Sequence, residues 1–330
     1  MLALSGVFSF LFLLQVLTTT NLAQVSLEMK KALEKCVAYS QRSEDFKVPK
    51  VIASQMFHWA SFEFEKPIIR FERAMLIFSV DVDVGDKKLG LINKGRNDVC
   101  VHNFYNEYRV GQIEEQIIPL FLDLFNSRGI PVTFAIRGQL TEVDNALLPL
   151  LLDSPVKHDI GGHGYTHKKF NTLSRKEAEN ELELLSAGLK NYGITPKSFV
   201  FPRNAVSHLD LLEKFGYDCY RGAGNFLNDG MYIKRSGRIY DIHPSVYLDQ
   251  NMHVSVLRAI LKIAIRKRTP LHFWFHPWGF GETAKQARKN IDAILTPFVD
   301  YAKAKEQCQA LRFETMFSAA KKAKVKLNTE

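Results

Sequence analysis

The chain has 330 residues, and its 44 Lys and Arg against 35 Asp and Glu give a formal net charge of +9. Hydrophobic residues make up 46% and charged residues 24%, which excludes a largely disordered, a collagen-like or a multi-spanning membrane protein. The length fits one α/β barrel of roughly 250 residues with extensions. No pattern typical of nucleic-acid binding occurs, so the Lys residues within 319–330 predict a solvated basic tail and no nucleic-acid partner.

The N-terminus has the pattern of a secretion signal. No charged residue precedes Glu28, and residues 4–17 are almost continuously apolar. An apolar segment of about 14 residues is short for a membrane span and typical of a signal peptide. Residues 1–23 are therefore expected to be a signal peptide or membrane anchor, which predicts a secreted or membrane-anchored protein with membrane contact through its N-terminus. A cytoplasmic enzyme with an N-terminal extension is the alternative, because no Lys or Arg precedes the apolar segment.

Residues 24–70 are expected to form an extension packed on the main domain, with an amphipathic helix over about 26–44. Beyond it, short apolar segments alternate with helical patterns. Strands are predicted over 75–81, 131–136, 156–161, 198–201, 217–220, 239–242, 271–275 and 311–314. Helices are predicted between them, over 112–128, 144–152, 174–192, 207–215, 253–267 and 283–305. This alternation predicts βα units and a parallel sheet, and the number of units favours a closed barrel.

Two carboxylates stand where the first predicted strand ends. Asp81 and Asp83 are two positions apart, so in a strand their side chains point to the same side. Such a pair is most stable when it shares a cation or when one member acts as a base. A metal ligand beside a general base is therefore predicted, with solvated loop carboxylates as the alternative. The connection that follows, residues 84–111, is long enough to be either functional or disordered.

The third predicted strand leads into GGHGYTH (161–167), where His163 and His167 are four positions apart. Histidines at this spacing lie on one face of a helical turn and can chelate one metal ion. Together with a carboxylate from another strand end they would leave coordination positions open, as in catalytic zinc sites. Two surface histidines are the alternative.

Two more strand ends carry candidate side chains. Arg203 lies in FPRN (201–204), where a cation could keep Asp81 ionised and oriented. His276 lies in FWFHPW (273–278), and an apolar strand that delivers a single histidine suits a general acid or base. A surface arginine and a core histidine are the respective alternatives.

The four cysteines, Cys36, Cys100, Cys219 and Cys308, show no CxxC spacing, which excludes a cysteine-based zinc ribbon. Disulfides and free thiols both remain open for them.

In chain order, the motifs SVDVDV, HGYTH, FPRN and FWFHPW resemble those of the polysaccharide deacetylase family, the NodB-homology domain of carbohydrate esterase family four. PVTFAIRG (131–138) resembles the family's second strand. The resemblance implies a distorted (β/α) barrel of about seven parallel strands over residues 71–318, preceded by the helical extension. It also implies a hydrolase that uses a divalent metal ion, zinc first, to remove N-acetyl groups from amino sugars of a glycan or glycoconjugate.

The resemblance further implies roles for individual residues. Asp81 would be the general base, His276 the general acid and Arg203 the residue that tunes the base. The metal ligands would be Asp83, His163 and His167. Substrate contacts are also expected from Tyr165, Asn204, Trp278 and His243. Independently of the resemblance, the connection 84–111 leaves the strand end that supplies both carboxylates, so its Tyr105 and Tyr108 are expected to contact a sugar.

Two departures from the family pattern leave the substrate open. Val82 separates the two Asp residues that are usually adjacent, and Asn204 stands where a Pro-rich, aromatic stretch is usual. A sugar deformylase or cyclic amidase is the alternative enzyme, and a non-catalytic glycan-binding module on the same fold is an alternative of a different class. The sequence does not indicate an oligomeric state.

Overall fold

The computed structural model describes residue 62 and residues 68–82, 112–142, 147–222, 230–281 and 283–327. The chain divides into two units, residues 1–64 and 65–330, and every strand among the described residues lies in the second. The leader predicted for 1–23 and nearly all of the extension predicted for 24–70 lie outside the described residues, so both stay predictions. Within the described ranges, no helix combines the length and the apolar character that crossing a membrane requires.

The described residues contain one sheet of ten strands. The strands are β1 Ala74–Val82, β2 Thr133–Ile136, β3 Asp159–Gly162, β4 Ser198–Val200, β5 Cys219–Arg221, β6 Ile233–Ser236, β7 Ile239–Ile242, β8 Val246–Tyr247, β9 Pro270–Phe275 and β10 Leu311–Glu314. Their order is β6-β7-β5-β4-β3-β2-β1-β9-β8, and β10 pairs with the first half of β1. All pairings are parallel except that of β6 with β7. The α/β class is thus confirmed, as a curled half-barrel of mainly parallel strands. The closed barrel favoured by the number of units is wrong for the described strands, because β6 and β8 lie at two separate edges.

Helices connect the strands, as the alternation predicted. They are α1 Ile118–Asn126, α2 Leu147–Leu152, α3 Arg175–Lys190, α4 Leu209–Lys214, α5 Val254–Lys267, α6 Ala284–Asn290, α7 Thr296–Gln307 and α8 Met316–Leu327. Helix α3 begins with a capping box, in which Ser174 and Glu177 each bond the other's backbone N–H. The helix predicted over 283–305 is interrupted by a π-helical stretch, Ile291–Leu295, between α6 and α7. Strands β6 and β8 were not predicted, since β6 (IKRS) has one apolar residue and β8 has two residues in all.

Within the segment 319–330 that was predicted to be a basic tail, the described residues 319–327 belong to helix α8. In α8 the small residues Ala319, Ala320 and Ala323 are buried in one cluster with Met75 of β1 and Ile242 of β7. The helix therefore packs onto the inner face of the sheet, and its lysines are more exposed than these alanines. Alanines spaced by three and four positions are what allows a helix to approach the strands closely.

The first turn of α8 is anchored to the sheet by hydrogen bonds. The backbone N–H of Met316 donates to Thr133 Oγ1 (2.9 Å), and that of Phe317 donates to Asp159 Oδ2 (3.4 Å). Asp159 Oδ2 also accepts from Thr133 Oγ1 (2.9 Å) and Ser198 Oγ (2.6 Å). A carboxylate at a helix N-terminus is favourable because the helix dipole is positive there. Burial nevertheless raises the pKa of Asp159 above its ordinary value.

Alternation along β1 separates an apolar face from a polar one. Phe78 points outward and packs against Phe125 of α1, with ring centroids 5.3 Å apart and the planes tilted by 49°. Its neighbours along the strand, Ser79 and Asp81, point to the inner face of the sheet and bond to Arg221 there. Because the period of a strand is two, one nine-residue strand supplies both the core beneath the helices and the polar groups of the half-barrel's mouth.

Candidate active site

Several ionisable side chains meet at one edge of the sheet. Asp81 lies near the end of β1, His163 directly follows β3, Arg221 ends β5 and His276 directly follows β9. The carboxyl ends of parallel strands lie at the same edge, which is where α/β barrel enzymes carry their active sites. The structure therefore brings Asp81, His163 and His276 to one edge of the sheet, whereas the roles expected for them stay predictions.

Asp81 forms a buried ion pair with Arg221. Nη1 of the arginine donates to Oδ1 and Nη2 to Oδ2, both at 2.6 Å, and the residues are 2% and 1% exposed. Burial by itself raises the pKa of Asp81, but Arg221, together with His163 and His276, outweighs it and lowers the pKa to about 2. Asp81 is therefore ionised at neutral pH, and its orientation is fixed by the two parallel hydrogen bonds.

The arginine that holds Asp81 is not the one predicted. Arg203 is exposed, in a turn (Pro202–Asn204) where its backbone is left-handed with φ 55°. The predicted role of Arg203 beside the base is thus taken by Arg221. A signal was present in the sequence, since Arg221 directly follows the strand predicted over 217–220, where the other candidate site residues also lie at strand ends. A buried arginine at such a place requires a carboxylate partner. Asn204, predicted to contact substrate, accepts a hydrogen bond from Arg221 Nη2 (3.3 Å).

His163 and His167 lie together, as predicted for metal ligands. Their Nε2 atoms are 3.1 Å apart, and both residues are almost completely buried. Nδ1–H of His163 donates to the carbonyl oxygen of Val200 (2.8 Å), so its Nε2 carries the lone pair. Burial lowers the pKa of His163, although Asp81 opposes this. Two nitrogens at this separation can both lie about 2.1 Å from one zinc ion, so this pair fits the metal that the fold family implies.

The predicted third ligand, Asp83, lies outside the described residues, as do Tyr105 and Tyr108. Across the part of the chain that the structure describes, no group of three or more His, Cys, Asp or Glu side chains could hold a metal ion. The predicted metal set of Asp83, His163 and His167 therefore stays a prediction, with its two histidines adjacent in the structure.

Glu181 of α3 holds the loop that carries the two histidines. Its Oε2 accepts hydrogen bonds from the backbone N–H groups of Tyr165 and Thr166, both at 2.8 Å. Its Oε1 accepts from the hydroxyl of Thr166. The backbone of His167 is left-handed with φ 64°, a conformation that a non-glycine residue adopts only when its surroundings enforce it. Sequence reasoning did not identify Glu181, because helix periodicity does not show which strand-end loop a helix residue reaches.

The backbone around the histidines requires glycine. A Cβ on Gly161 would lie 2.8 Å from the carbonyl oxygen of Ser198, and Gly164 has φ +66°. Tyr165, predicted to contact substrate, is half-buried with its ring close to Gly138, where an added Cβ would lie 2.6 Å from Tyr165 Cδ2. The glycines therefore let β3 approach β4 and let the loop turn sharply before His167.

His276 faces Asp81 across the site. Its Nε2 lies 3.8 Å from Asp81 Oδ2, and its ring stacks on Trp278 with centroids 4.4 Å apart and planes at 27°. On the other side, its Nδ1 lies 3.4 Å from the hydroxyl of Tyr247, which the sequence did not single out. Trp278 and Tyr247 thus fix the orientation of the imidazole. A pocket lined by both aromatic residues opens beside them, with polar walls from Asp249, Gln250, Asn251 and Gln286.

His243, predicted to contact substrate, belongs to a separate buried pair. Its Nδ1 lies 3.2 Å from Asp241 Oδ2, and its ring stacks on Tyr232 with centroids 4.2 Å apart. The contacts with Asp241 and Tyr232 are sufficient to hold His243 directly after β7.

The fold and the polar strand edge define an α/β half-barrel with a candidate hydrolytic site at the carboxyl ends of its strands. Residues 103–220 match the family model described as polysaccharide deacetylase, which confirms the resemblance seen in the motifs. Solved structures with a similar fold include a probable polysaccharide deacetylase from Pseudomonas aeruginosa PAO1 (TM-score 0.60) and Puue allantoinase (TM-score 0.59). Each is 14% identical and covers 76% of this chain and 90% of its own, so the likeness concerns the fold alone. No curated protein matches the chain in sequence.

Proposed function

We propose that the protein is a metal-dependent hydrolase that removes N-acetyl groups from amino sugars of a polysaccharide or glycoconjugate. One arrangement carries the proposal. An ionised carboxylate, Asp81, faces the imidazole of His276 at 3.8 Å, beside the paired imidazoles of His163 and His167. Amide hydrolysis needs a base for water, an acid for the leaving amine and stabilisation of the developing oxyanion.

The ion would be held by His163 and His167 together with Asp83. Bound there, a divalent cation such as zinc would polarise the acetyl carbonyl and make water a stronger acid. The hydrogen bond from His163 Nδ1–H to Val200 O supports this assignment, since ligand histidines usually donate their second ring N–H to a fixed acceptor.

Asp81 would accept the proton of the attacking water. Each of its oxygens accepts one hydrogen bond from Arg221, and a carboxylate oxygen can accept a second. His276, in its protonated form, would donate a proton from Nε2 to the nitrogen of the leaving amino sugar. The C–N bond then breaks, and acetate and a free amine leave. Substrate contacts are proposed for Trp278, which flanks His276, and for Tyr105 and Tyr108.

The experiment is a substrate panel with the purified full chain. Metal content is measured by mass spectrometry, and release of acetate is followed on chitooligosaccharides and peptidoglycan fragments. Formylated sugars and cyclic imides in the same panel test the related carbon–nitrogen hydrolases. We expect bound metal and acetate release. Glycan binding without product from any substrate would overturn the proposal in favour of a non-catalytic module.

Asp81→Asn sharpens the test. It keeps the size and the planar shape of the side chain but removes the base, so metal content should stay the same while turnover is lost. Turnover that survives in this variant would contradict the role of Asp81.

A further inference from the structure

We propose that Ser79 and His272 act as positioning residues that hold Arg221 against Asp81 through a chain of hydrogen bonds ending at the backbone of β7. Ser79 opens the SVDVDV motif and His272 directly precedes FWFHPW, but the sequence alone assigned neither residue a role. The proposal is tested by enzyme kinetics and by NMR. The kinetic test rests on the proposed function, whereas the NMR test does not.

The chain of contacts is continuous. Arg221 Nη1 donates to Ser79 Oγ (3.3 Å), and Ser79 Oγ lies 2.8 Å from His272 Nε2. His272 Nδ1 in turn lies 3.0 Å from the carbonyl oxygen of Ile242, at the end of β7. Three strands, β1, β9 and β7, thereby contribute to the position of one guanidinium.

The direction of each hydrogen bond follows from the last acceptor. A carbonyl oxygen can only accept, so Nδ1 of His272 carries the proton and donates to Ile242. Burial lowers the pKa of His272 to about 3, so the ring is neutral and Nε2 carries a lone pair. The hydroxyl proton of Ser79 is then directed to Nε2, and the lone pairs of Ser79 Oγ remain for Arg221.

Arg221 depends on these acceptors because it is almost completely buried. Its Nη1 donates to Asp81 and Ser79, and its Nη2 donates to Asp81 and Asn204. Ser79 and Asn204 therefore flank the guanidinium on its two sides, and the ring of Trp274 covers its face at 4.3 Å. Ser79 and His272 are themselves 0% exposed, so water cannot replace either of them without a rearrangement of the core.

The chemical consequence concerns the orientation of Asp81. Two parallel hydrogen bonds form only when the guanidinium lies in the plane of the carboxylate. Without Ser79, one buried N–H loses its acceptor, and the guanidinium can rotate towards another partner. Asp81 would keep its charge but lose its fixed direction towards His276.

The first experiment observes Arg221 directly by NMR of protein labelled with ¹⁵N-arginine, with its signals assigned from Arg221→Lys. In the wild type we expect separate Nη1 and Nη2 resonances, because the fixed guanidinium rotates slowly, and an Nδ1–H tautomer for His272. In Ser79→Ala and His272→Phe the Nη resonances should merge. Separate Nη resonances in both variants, or an Nε2–H tautomer in the wild type, would overturn the proposal.

The second experiment compares kinetics. Ser79→Ala and His272→Phe should lower kcat about tenfold with little change in KM, as expected for a lost hydrogen bond to a charged group. His272→Gln can again accept from Ser79 and should recover most of kcat. The control is Thr269→Val, which removes another buried hydroxyl that contacts Met231 and not Arg221. Equal losses in the control, or no recovery in His272→Gln, would show a merely structural role.

The two experiments fail separately. If the wild type cleaves no substrate, the proposed function fails, and the NMR signals of Arg221 still decide whether Ser79 and His272 position it. Thermal unfolding of each variant shows whether it has lost its fold. If Ser79→Ala has, Ser79→Thr takes its place: this variant keeps the hydroxyl and must show separate Nη resonances like the wild type.

Discussion

Arg221 and Asp81 form their bidentate ion pair across three intervening strands, since β5 and β1 are separated in the sheet by β4, β3 and β2. In a flat sheet four strand spacings would place them about 19 Å apart, far beyond the reach of an arginine. The curl of the half-barrel is therefore what brings the base and its cation together. The ion pair in turn connects distant strands at the mouth.

Replacing Arg221 should affect both activity and stability. Arg221→Lys keeps the charge but cannot form two parallel hydrogen bonds, and it leaves Asp81 buried with a poorer partner. We expect kcat/KM to fall at least about a hundredfold and the free energy of unfolding to fall by about 3 kcal/mol. Urea unfolding and steady-state kinetics measure the two effects.

Arg203→Lys is the matched control, because Arg203 is exposed in the turn after β4. It should change both quantities little. If Arg203→Lys were the more damaging variant, the guanidinium that acts on Asp81 would be the one expected from the sequence motif.

The paired histidines predict a specific loss of metal. His163→Ala or His167→Ala removes one of two nitrogens that face each other at 3.1 Å, so the stoichiometry of bound zinc should drop from about one to below about 0.1 after dialysis. Mass spectrometry of the dialysed protein measures this. His253→Ala, at an exposed histidine before α5, should retain the metal. Full zinc occupancy in both histidine variants would place the metal elsewhere.

Glu181 should influence the metal without touching it. Its carboxylate fixes two backbone N–H groups of the loop between His163 and His167. Glu181→Gln can accept only through one oxygen, so we expect metal affinity to fall by about 10- to 100-fold, the range found for outer contacts of metal sites. Competition with a chelator measures the affinity. Glu183→Gln, two positions along α3 and exposed, is the control and should bind metal like the wild type.

The sequence predicted the strand ends well and the contacts between them less well. Period-two patterns and buried apolar segments located β1, β7 and β10, and the motifs located Asp81, His163 and His276. Arg221 was missed because its partner lies 140 positions away in sequence, and only the curl of the sheet brings the two together. The helix α8 was missed because its lysines dominate its composition, whereas its burial depends on small alanines that carry little hydropathy.

The last prediction concerns acid stability and His158, which lies just before β3. Its Nδ1 accepts from the backbone N–H of Val132 (3.2 Å), and its Nε2 lies 3.0 Å from Asn126 Oδ1, so the neutral ring satisfies both neighbours. Burial lowers the pKa of His158 from 6.5 to about 4. Below pH 6.5 the unfolded chain therefore takes up a proton that the folded protein does not, and stability falls as the pH drops from 6.5 to about 4.

Because His158 is partly exposed, solvent screening reduces the contribution to on the order of 2 kcal/mol, and it should be complete below about pH 4. His158→Asn can still accept from Val132 but does not titrate, so it isolates this contribution. Urea unfolding at pH 7.5, 6.5, 5.5 and 4.5 should show the wild type losing stability relative to the variant only below about pH 6.5. Because other groups titrate equally in both proteins, the difference between the two curves reports on His158. Parallel curves over the whole range would mean that protonation of His158 does not oppose folding.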